Sequence, residues 1–178
     1  MTIVFYIKLG SNEVPSNLLT PRIIYDHLVL EKIDISRSNE RYTHDFDIDT
    51  KTWKEIYKNL HNSKLCNKVK ETCYKIFHGY LATNTYLYKV GIKNSPRCSL
   101  CLLENESIVH LMSECLIVRN FWFRAKEYID EKYRIDFKIT TKILLFGILN
   151  KTKNKNHIND LLHACKSYIF KCTKVGKP

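Results

Sequence analysis

The sequence predicts a mainly α-helical domain with one loop closed by side-chain ligands. Two observations lead there. Apolar residues recur at helical offsets in segment after segment of the 178-residue chain. Between those segments stands CSLCLLENESIVHLMSEC, in which Cys98, Cys101, His110 and Cys115 follow the spacing C-x2-C-x8-H-x4-C. A hydrophobic share of 44% is too high for a disordered chain, and the length suffices for one domain with its own core.

In chain order, Thr2 to Lys8 alternates Ile3, Phe5 and Ile7, the pattern of one short strand, and reads equally as the torn end of a larger unit. In TPRIIYDHLVLEK, Ile23, Ile24, His27, Leu28 and Leu30 lie at helical offsets behind Thr20 as N-cap and Pro21 at the first position. SRSNERYTHDFDID is largely polar and reads as a loop. Its Asp45, Asp47 and Asp49 alternate as cation ligands do, but no Gly and no late Glu follow, which leaves a solvated acidic turn. Trp53, Ile56, Tyr57 and Leu60 mark an amphipathic helix, and Val69, Cys73, Ile76, Phe77 and Tyr80 a second. Thr83 caps a short helix ending near Val90, with Gly91 placed to stop it. Leu111, Cys115, Val118, Trp122, Ala125 and Ile129 define a further helix. ITTKILLFGIL is a compact apolar segment, NKTKNKN a lysine-rich linker, and Ile158, Leu161, Leu162, Cys165, Ile169 and Cys172 define the last helix. The organisation is an N-terminal segment over 1–50 and a helical domain over 51–178, without internal repeats.

Two cysteines three apart present both thiolates from one tight turn, and a His and a third Cys complete a tetrahedron. Three thiolates and an imidazole suit zinc. Reduced core thiols are the plain alternative. A thioredoxin-like redox pair needs a βαβ context, and none is visible. Four protein ligands close the site, whereas a catalytic zinc keeps one position for water, so the expected metal is a structural Zn2+. Glu104, Glu106 and Glu114 read as solvated loop and helix-start acids, the last two favourable to helix N-termini, rather than as general bases. The deaminase pattern fails because no His-x-Glu precedes Pro96. No phosphate loop, nucleophile elbow or dinucleotide fingerprint occurs among only five glycines. Cys66 and Cys73, like Cys165 and Cys172, are seven apart, the spacing of small core residues on one helix face. Cys165 and Cys172 with His157 and His163 are the alternative second metal set. His61 and His78 read as surface or core histidines.

The net charge is +11, distributed as −3 over residues 1–50, +8 over 51–97, −1 over 98–135, +1 over 136–150 and +6 over 151–178. Two basic blocks thus flank a nearly neutral metal candidate. Such a balance points to nucleic acid or an anionic surface, with solubility as the simple alternative. The opening MTIVFYIKLG lacks the basic leading region of a secretory signal and meets Lys8 early. No run approaches the roughly 18 apolar residues of a membrane span. Seven cysteines is an odd number for a disulfide framework. Together these predict an intracellular, reduced protein with no membrane partner.

The run IFHGYLATNTYLYKVGIKNSPRCSLCLLENESIVHLMSECLIVRNFW resembles the zinc-binding region that follows the reverse transcriptase in non-LTR (LINE-type) retrotransposon polyproteins. The matching positions are His78, Gly79, Leu81 and Thr83, then Cys98, Cys101, Glu106, His110, Leu111, Cys115 and Trp122. TPRIIYDHL and TWKEIYKNL resemble the stretches that precede that region, and ILLFGIL and the final basic helix those that follow, so the resemblance covers residues 20–175. Ala82 and Ser99 stand where the family often has proline, and the last helix ends IFKCTK where an arginine is often seen. The resemblance implies a non-catalytic element, because polymerase and endonuclease chemistry lie elsewhere in such polyproteins. This chain has no adjacent aspartate pair and no room for a polymerase domain. It implies a detached C-terminal piece, either a remnant or a free-standing derivative. The expected function is a zinc-binding module, not an enzyme, that contacts the phosphate backbone of RNA or DNA through Lys64, Lys68, Lys70, Lys75, Lys89, Lys93 and Arg97. The alternative is a zinc-stabilised scaffold or interaction protein without nucleic-acid binding. Tyr86 and Tyr88 read as packing residues from their helical context, with base stacking as the alternative.

Overall fold

The computed structural model describes residues 6–9, 12–15, 18, 20, 37–136, 138–150 and 152–175. The helix expected after Thr20 lies outside the described residues, as do Thr2 to Phe5 of the expected strand. Tyr6–Leu9 (β1) pairs antiparallel with Asn12–Pro15 (β2), Ile7 opposite Val14 and Lys8 opposite Glu13. The strand expected alone therefore has a partner. Gly10–Ser11 between the two runs is a hairpin signal, but NEVP carries a single β-branched residue and does not read as a strand by itself.

Arg37–Phe46 (α1) is a helix where a loop is expected. Only two apolar side chains, one turn apart, carry it inward. Tyr42 and Phe46 bring their rings to 5.5 and 5.7 Å from that of Phe146, both nearly edge-on. Two apolar positions are too few to show a period, so the helix is decided by a partner a hundred residues away. Asp47, at φ +48°, turns the chain and delivers Ile48 to the core. The Lys142 ammonium donates to the carbonyls of Phe46 (2.8 Å) and Asp47 (3.1 Å), groups that a helix end leaves without partners.

Thr50–Asn62 (α2) follows the expected period and buries Trp53, Ile56 and Leu60. Asp49, far from an idle acidic turn, is its N-cap. One carboxylate oxygen accepts the Thr52 N–H at 2.7 Å, and the Thr52 hydrogen bonds hold this acid below its usual range. Asn67–Phe77 (α3) buries Thr72, Cys73, Ile76 and Phe77. Cys66 stands exposed at its N-cap, so the two cysteines do not share a core face. Tyr80, expected on this helix, lies past its end and is 68% exposed. The short helix Asn84–Lys89 (α4) runs as expected from Thr83 to a turn at Val90 and Gly91.

The helix expected from Leu111 to Ile129 is broken at Cys115. His110–Glu114 is a single π turn, and Leu116–Tyr133 (α5) begins after it and buries Val118, Trp122 and Ile129. Thr141–Phe146 (α6) is capped by Thr140, whose hydroxyl accepts the Ile143 N–H at 3.3 Å. It places Leu144, Leu145 and Phe146 in the core. Lys155–Val175 (α7) starts inside the expected linker. Lys155 there donates to Glu55 and to the Leu149 carbonyl.

The core centres on Phe146. Besides Tyr42 and Phe46, its ring meets Trp53 at 5.3 Å and Phe77 at 5.9 Å, so α1, α2, α3 and α6 converge on one side chain. Against them α7 lays Ile158, Leu162 and Ile169. The α6–α7 joint is tight. A Cβ on Gly147 (φ +89°) would fall 2.8 Å from Asn159 Oδ1, the atom that accepts the Ile148 N–H at 2.7 Å. Lys166 of α7 is fully buried; its ammonium donates to the Leu145 carbonyl at 2.7 Å and lies 5.3 Å over the Phe77 ring. Among the described residues, no helix is long and apolar enough to cross a membrane.

Candidate metal centre

Pro96 to Asn105 folds back on itself. Arg97 bridges Asn105, the Cys98 N–H donates to the Glu104 carbonyl at 2.7 Å, and the Glu106 N–H to the Pro96 carbonyl at 2.8 Å. At the tip, the Leu102 N–H reaches the Cys98 carbonyl at 3.0 Å, with Leu102 at φ +60°. That tight turn is what sets Cys98 and Cys101 on the same side.

The π turn does the same for the other pair. In an α-helix, residues five apart point about 140° away from each other. Here the Cys115 N–H bonds the His110 carbonyl at 2.8 Å, the i→i+5 bond of a π-helix, which adds a residue to the turn and lets both side chains reach one point. Ser107 fixes its start by accepting the His110 N–H on its hydroxyl at 2.9 Å. Trp122 fixes its end by donating its indole N–H to the Met112 carbonyl at 2.7 Å.

The four ligand atoms of Cys98, Cys101, His110 and Cys115 all lie within 4.8 Å of one another. Cys98 Sγ is 3.9 Å from Cys115 Sγ, and Cys101 Sγ is 3.5 Å from His110 Nε2. A tetrahedron with Zn–S of about 2.3 Å and Zn–N of about 2.0–2.1 Å has S···S edges near 3.8 Å and S···N edges of about 3.5 Å. The donor set fits zinc in identity and in size. Cys98, His110 and Cys115 are buried and Cys101 is half-buried. Without a metal, burial pushes the Cys98 thiol up to about 12. Cys101 is held at about 6: its burial is outweighed by the backbone N–H groups of Glu104 and Leu103 and by His110 and Cys98. The site therefore holds both a ready thiolate and a thiol that must lose its proton to a metal.

Glu106 is the residue that sequence reasoning misplaced. It is 1% exposed, not solvated. One carboxylate oxygen accepts the N–H of Asn84, the first residue of α4, and the other accepts the N–H of Ser99, each at 2.9 Å. Its partner is a helix N-terminus, but that of α4 rather than one nearby in sequence, and the carboxylate caps it in place of Thr83, whose side chain makes no capping bond. Through Ser99 the same group holds the turn between Cys98 and Cys101. Glu114 is exposed, as expected.

These contacts bind α4, the Cys98–Cys101 turn and the π turn into one unit. Residues 38–122 match the family described as zinc-binding in reverse transcriptase. That match spans α2, α3, α4 and the π turn. No curated protein and no solved structure matches the chain. The match supports a zinc-binding module of the retroelement reverse-transcriptase type, and the segment is mostly helical with a Cys-Cys-His-Cys cluster able to hold a metal. Among the described residues it is the one cluster of its kind; Cys165, Cys172, His157 and His163 do not gather into a second.

The seven basic residues expected at phosphates differ in how they are engaged. Lys64, Lys68, Lys75, Lys89, Lys93 and Arg97 are exposed and Lys70 half-buried. Four of the seven are engaged within the chain. Lys70 donates to the His61 carbonyl (2.9 Å), Lys75 to Glu71 (2.6 Å) and Lys93 to Asn84 Oδ1 (2.7 Å), while Arg97 donates to the carbonyls of Leu102 and Leu103. Tyr86 and Tyr88, expected to pack, are about half exposed.

Proposed function

We propose that the chain is a zinc-stapled, non-catalytic module that binds the phosphate backbone of RNA or DNA. Zinc would be held by Cys98, Cys101, His110 and Cys115, and the observation that carries this is the agreement of the 3.9 and 3.5 Å edges with a tetrahedral Cys3His site. Four protein ligands leave no position for a metal-bound water, which accords with a structural ion. When bound, the ion supplies a fixed cross-link between the Cys98–Cys101 turn and the π turn. Glu106 orients the turn through Ser99, and Ser107 holds the His110 backbone in place.

For the nucleic acid, the support is the net +8 over residues 51–97, with Lys64, Lys68 and Lys89 exposed. The engagement of Lys70, Lys75, Lys93 and Arg97 with the chain's own acceptors favours a second reading, a zinc-stabilised scaffold. A salt series decides. If about four to six cations meet phosphates, log affinity for labelled duplex falls with log salt at a slope of roughly −3 to −5. The triple variant Lys64→Ala/Lys68→Ala/Lys89→Ala should then lose about one unit of slope per lysine at unchanged zinc content. A slope that is the same in the wild type and the variant would leave the scaffold reading.

A further inference from the structure

Most rings packed on Phe146 and the rings at the α2–α3 surface meet differently. Around Phe146, the Tyr42, Phe46 and Trp53 rings stand at 74°, 72° and 82°, edge to face. At the α2–α3 surface four rings are near-parallel. Tyr57 stacks on Tyr74 at 17° and on His78 at 28°, Tyr74 on His78 at 15°, and His78 on Tyr80 at 8°, with centroids 5.6 to 6.5 Å apart. Tyr74 is 37% exposed and Tyr80 68%, so the ladder opens to solvent at its outer end.

The end of α3 builds this ladder. The Gly79 N–H bonds the Ile76 carbonyl (3.1 Å) and the Tyr80 N–H the Lys75 carbonyl (2.8 Å), the paired bonds of a Schellman ending. Gly79 sits at φ +69°, a conformation that costs glycine nothing. The reversal brings Tyr80 back beside His78. The Tyr57 hydroxyl pairs with His78 Nε2 at 3.1 Å and fixes the imidazole plane. Partial burial holds His78 below its usual range, so the ring stays neutral at pH 7.

The surrounding charge is positive. Lys54, exposed, lies one turn before Tyr57; Lys70, one turn before Tyr74, already donates to the His61 carbonyl. Residues 51–97 hold just two acids, Glu55 and Glu71, and each is already paired, with Lys155 and Lys75. Near-parallel rings, exposed at Tyr74 and Tyr80, beside an exposed cation suit unpaired bases joined by phosphates, since every base has a face to stack and the backbone supplies the charge.

We infer that Tyr57, Tyr74, His78 and Tyr80 form a base-stacking platform for single-stranded nucleic acid that opens at Tyr74 and Tyr80, with Lys54 beside it for the phosphates. The inference rests on the nucleic-acid reading proposed above and narrows it to unpaired strands. It is tested on the full chain by fluorescence anisotropy with three labelled probes: oligothymidylate, an abasic oligonucleotide of equal length, and a duplex. The wild type should bind oligothymidylate about tenfold or more tighter than the abasic strand. Tyr74→Leu/Tyr80→Leu should erase that difference while leaving abasic and duplex affinities within about twofold, because stacking contributes about tenfold per base. Tyr80→Leu alone, at the exposed end, should give a partial loss at unchanged helix and zinc content. Equal wild-type affinity for oligothymidylate and the abasic strand overturns the platform while the backbone reading stands, as does an unaffected double variant. Failure of the wild type to bind any probe overturns both.

Discussion

The Cys98–Cys115 segment with its α4 neighbour, and the helical body around Phe146, each bury one charged side chain, by opposite means. Glu106 gives each carboxylate oxygen a backbone N–H and sits at a helix N-terminus. Lys166 gives its ammonium one carbonyl and a ring face. Burial pushes Lys166 down to about 8, although the Cys73 and Cys165 thiols pull the other way. Its neighbour His163 is held neutral by burial, with Nδ1 buried and unpartnered. The metal segment sends Leu111 and Met112 into the core, but around Glu106 it is assembled from polar contacts, each of which must be satisfied. The body holds so many packed rings that it tolerates an incompletely solvated cation.

The largest break in this comparison comes from the metal. In zinc-finger peptides, structural zinc contributes on the order of 10–16 kcal/mol, as much as the roughly 5–15 kcal/mol by which a whole domain is stable. Purified protein should carry one zinc per chain, and Cys98→Ser/Cys101→Ser should carry none. On chelation the near-UV signal of Trp122 should collapse, since its indole is anchored on the π turn, while far-UV helix from α2, α3 and α7 is largely kept. Unchanged metal content in the double variant would place the ion elsewhere.

The next effect sharpens the other side. Below about pH 8 Lys166 is charged in both states, and the folded state bears the burial cost. Between about 8 and the ordinary 10.5, the unfolded chain holds a proton that the folded one lacks, so this group's contribution to stability rises with pH. The stability difference between the wild type and Lys166→Met, from urea melts, should shift toward the wild type by about 3 kcal/mol across that window. A flat difference would mean that the ammonium is charged throughout.

Glu106→Gln should show the smallest effect. The amide keeps one acceptor but turns its NH2 toward a backbone N–H, at a cost of about 2 kcal/mol. Because Ser99 lies between two ligands, zinc affinity by chelator competition should also fall by about tenfold or more. A variant that matches the wild type in both would remove Glu106 from the support of the site.

The cluster of Cys98, Cys101, His110 and Cys115 could be read from spacing alone, and the helices of the body from their periods, because both signals lie within a few residues of sequence. What escaped was decided by distant partners. α1 has two apolar side chains whose meaning depends on Phe146. Glu106 looks like any loop acid until the N-terminus of α4, 22 positions earlier, arrives above it. The π turn reads as the start of α5, since an extra residue in one turn barely disturbs the apolar pattern. Tyr80 fits the α3 period, yet a chain reversal at Gly79 carries it to a surface ladder instead.

The π turn has a consequence of phase. An α-helix advances about 100° per residue, so the angle at which it starts fixes which residues face inward along its whole length. Cys115 is both a member of the Cys-Cys-His-Cys cluster and the residue from which α5 departs. The i→i+5 step sets the starting angle at which Cys115 faces the other ligands while Val118, Trp122 and Ile129 face the core. Metal geometry and helix rotation are thus one coordinate. An ion leaving the cluster would be felt, eighteen residues along α5, as a loss of the reference that tells the helix which side is in.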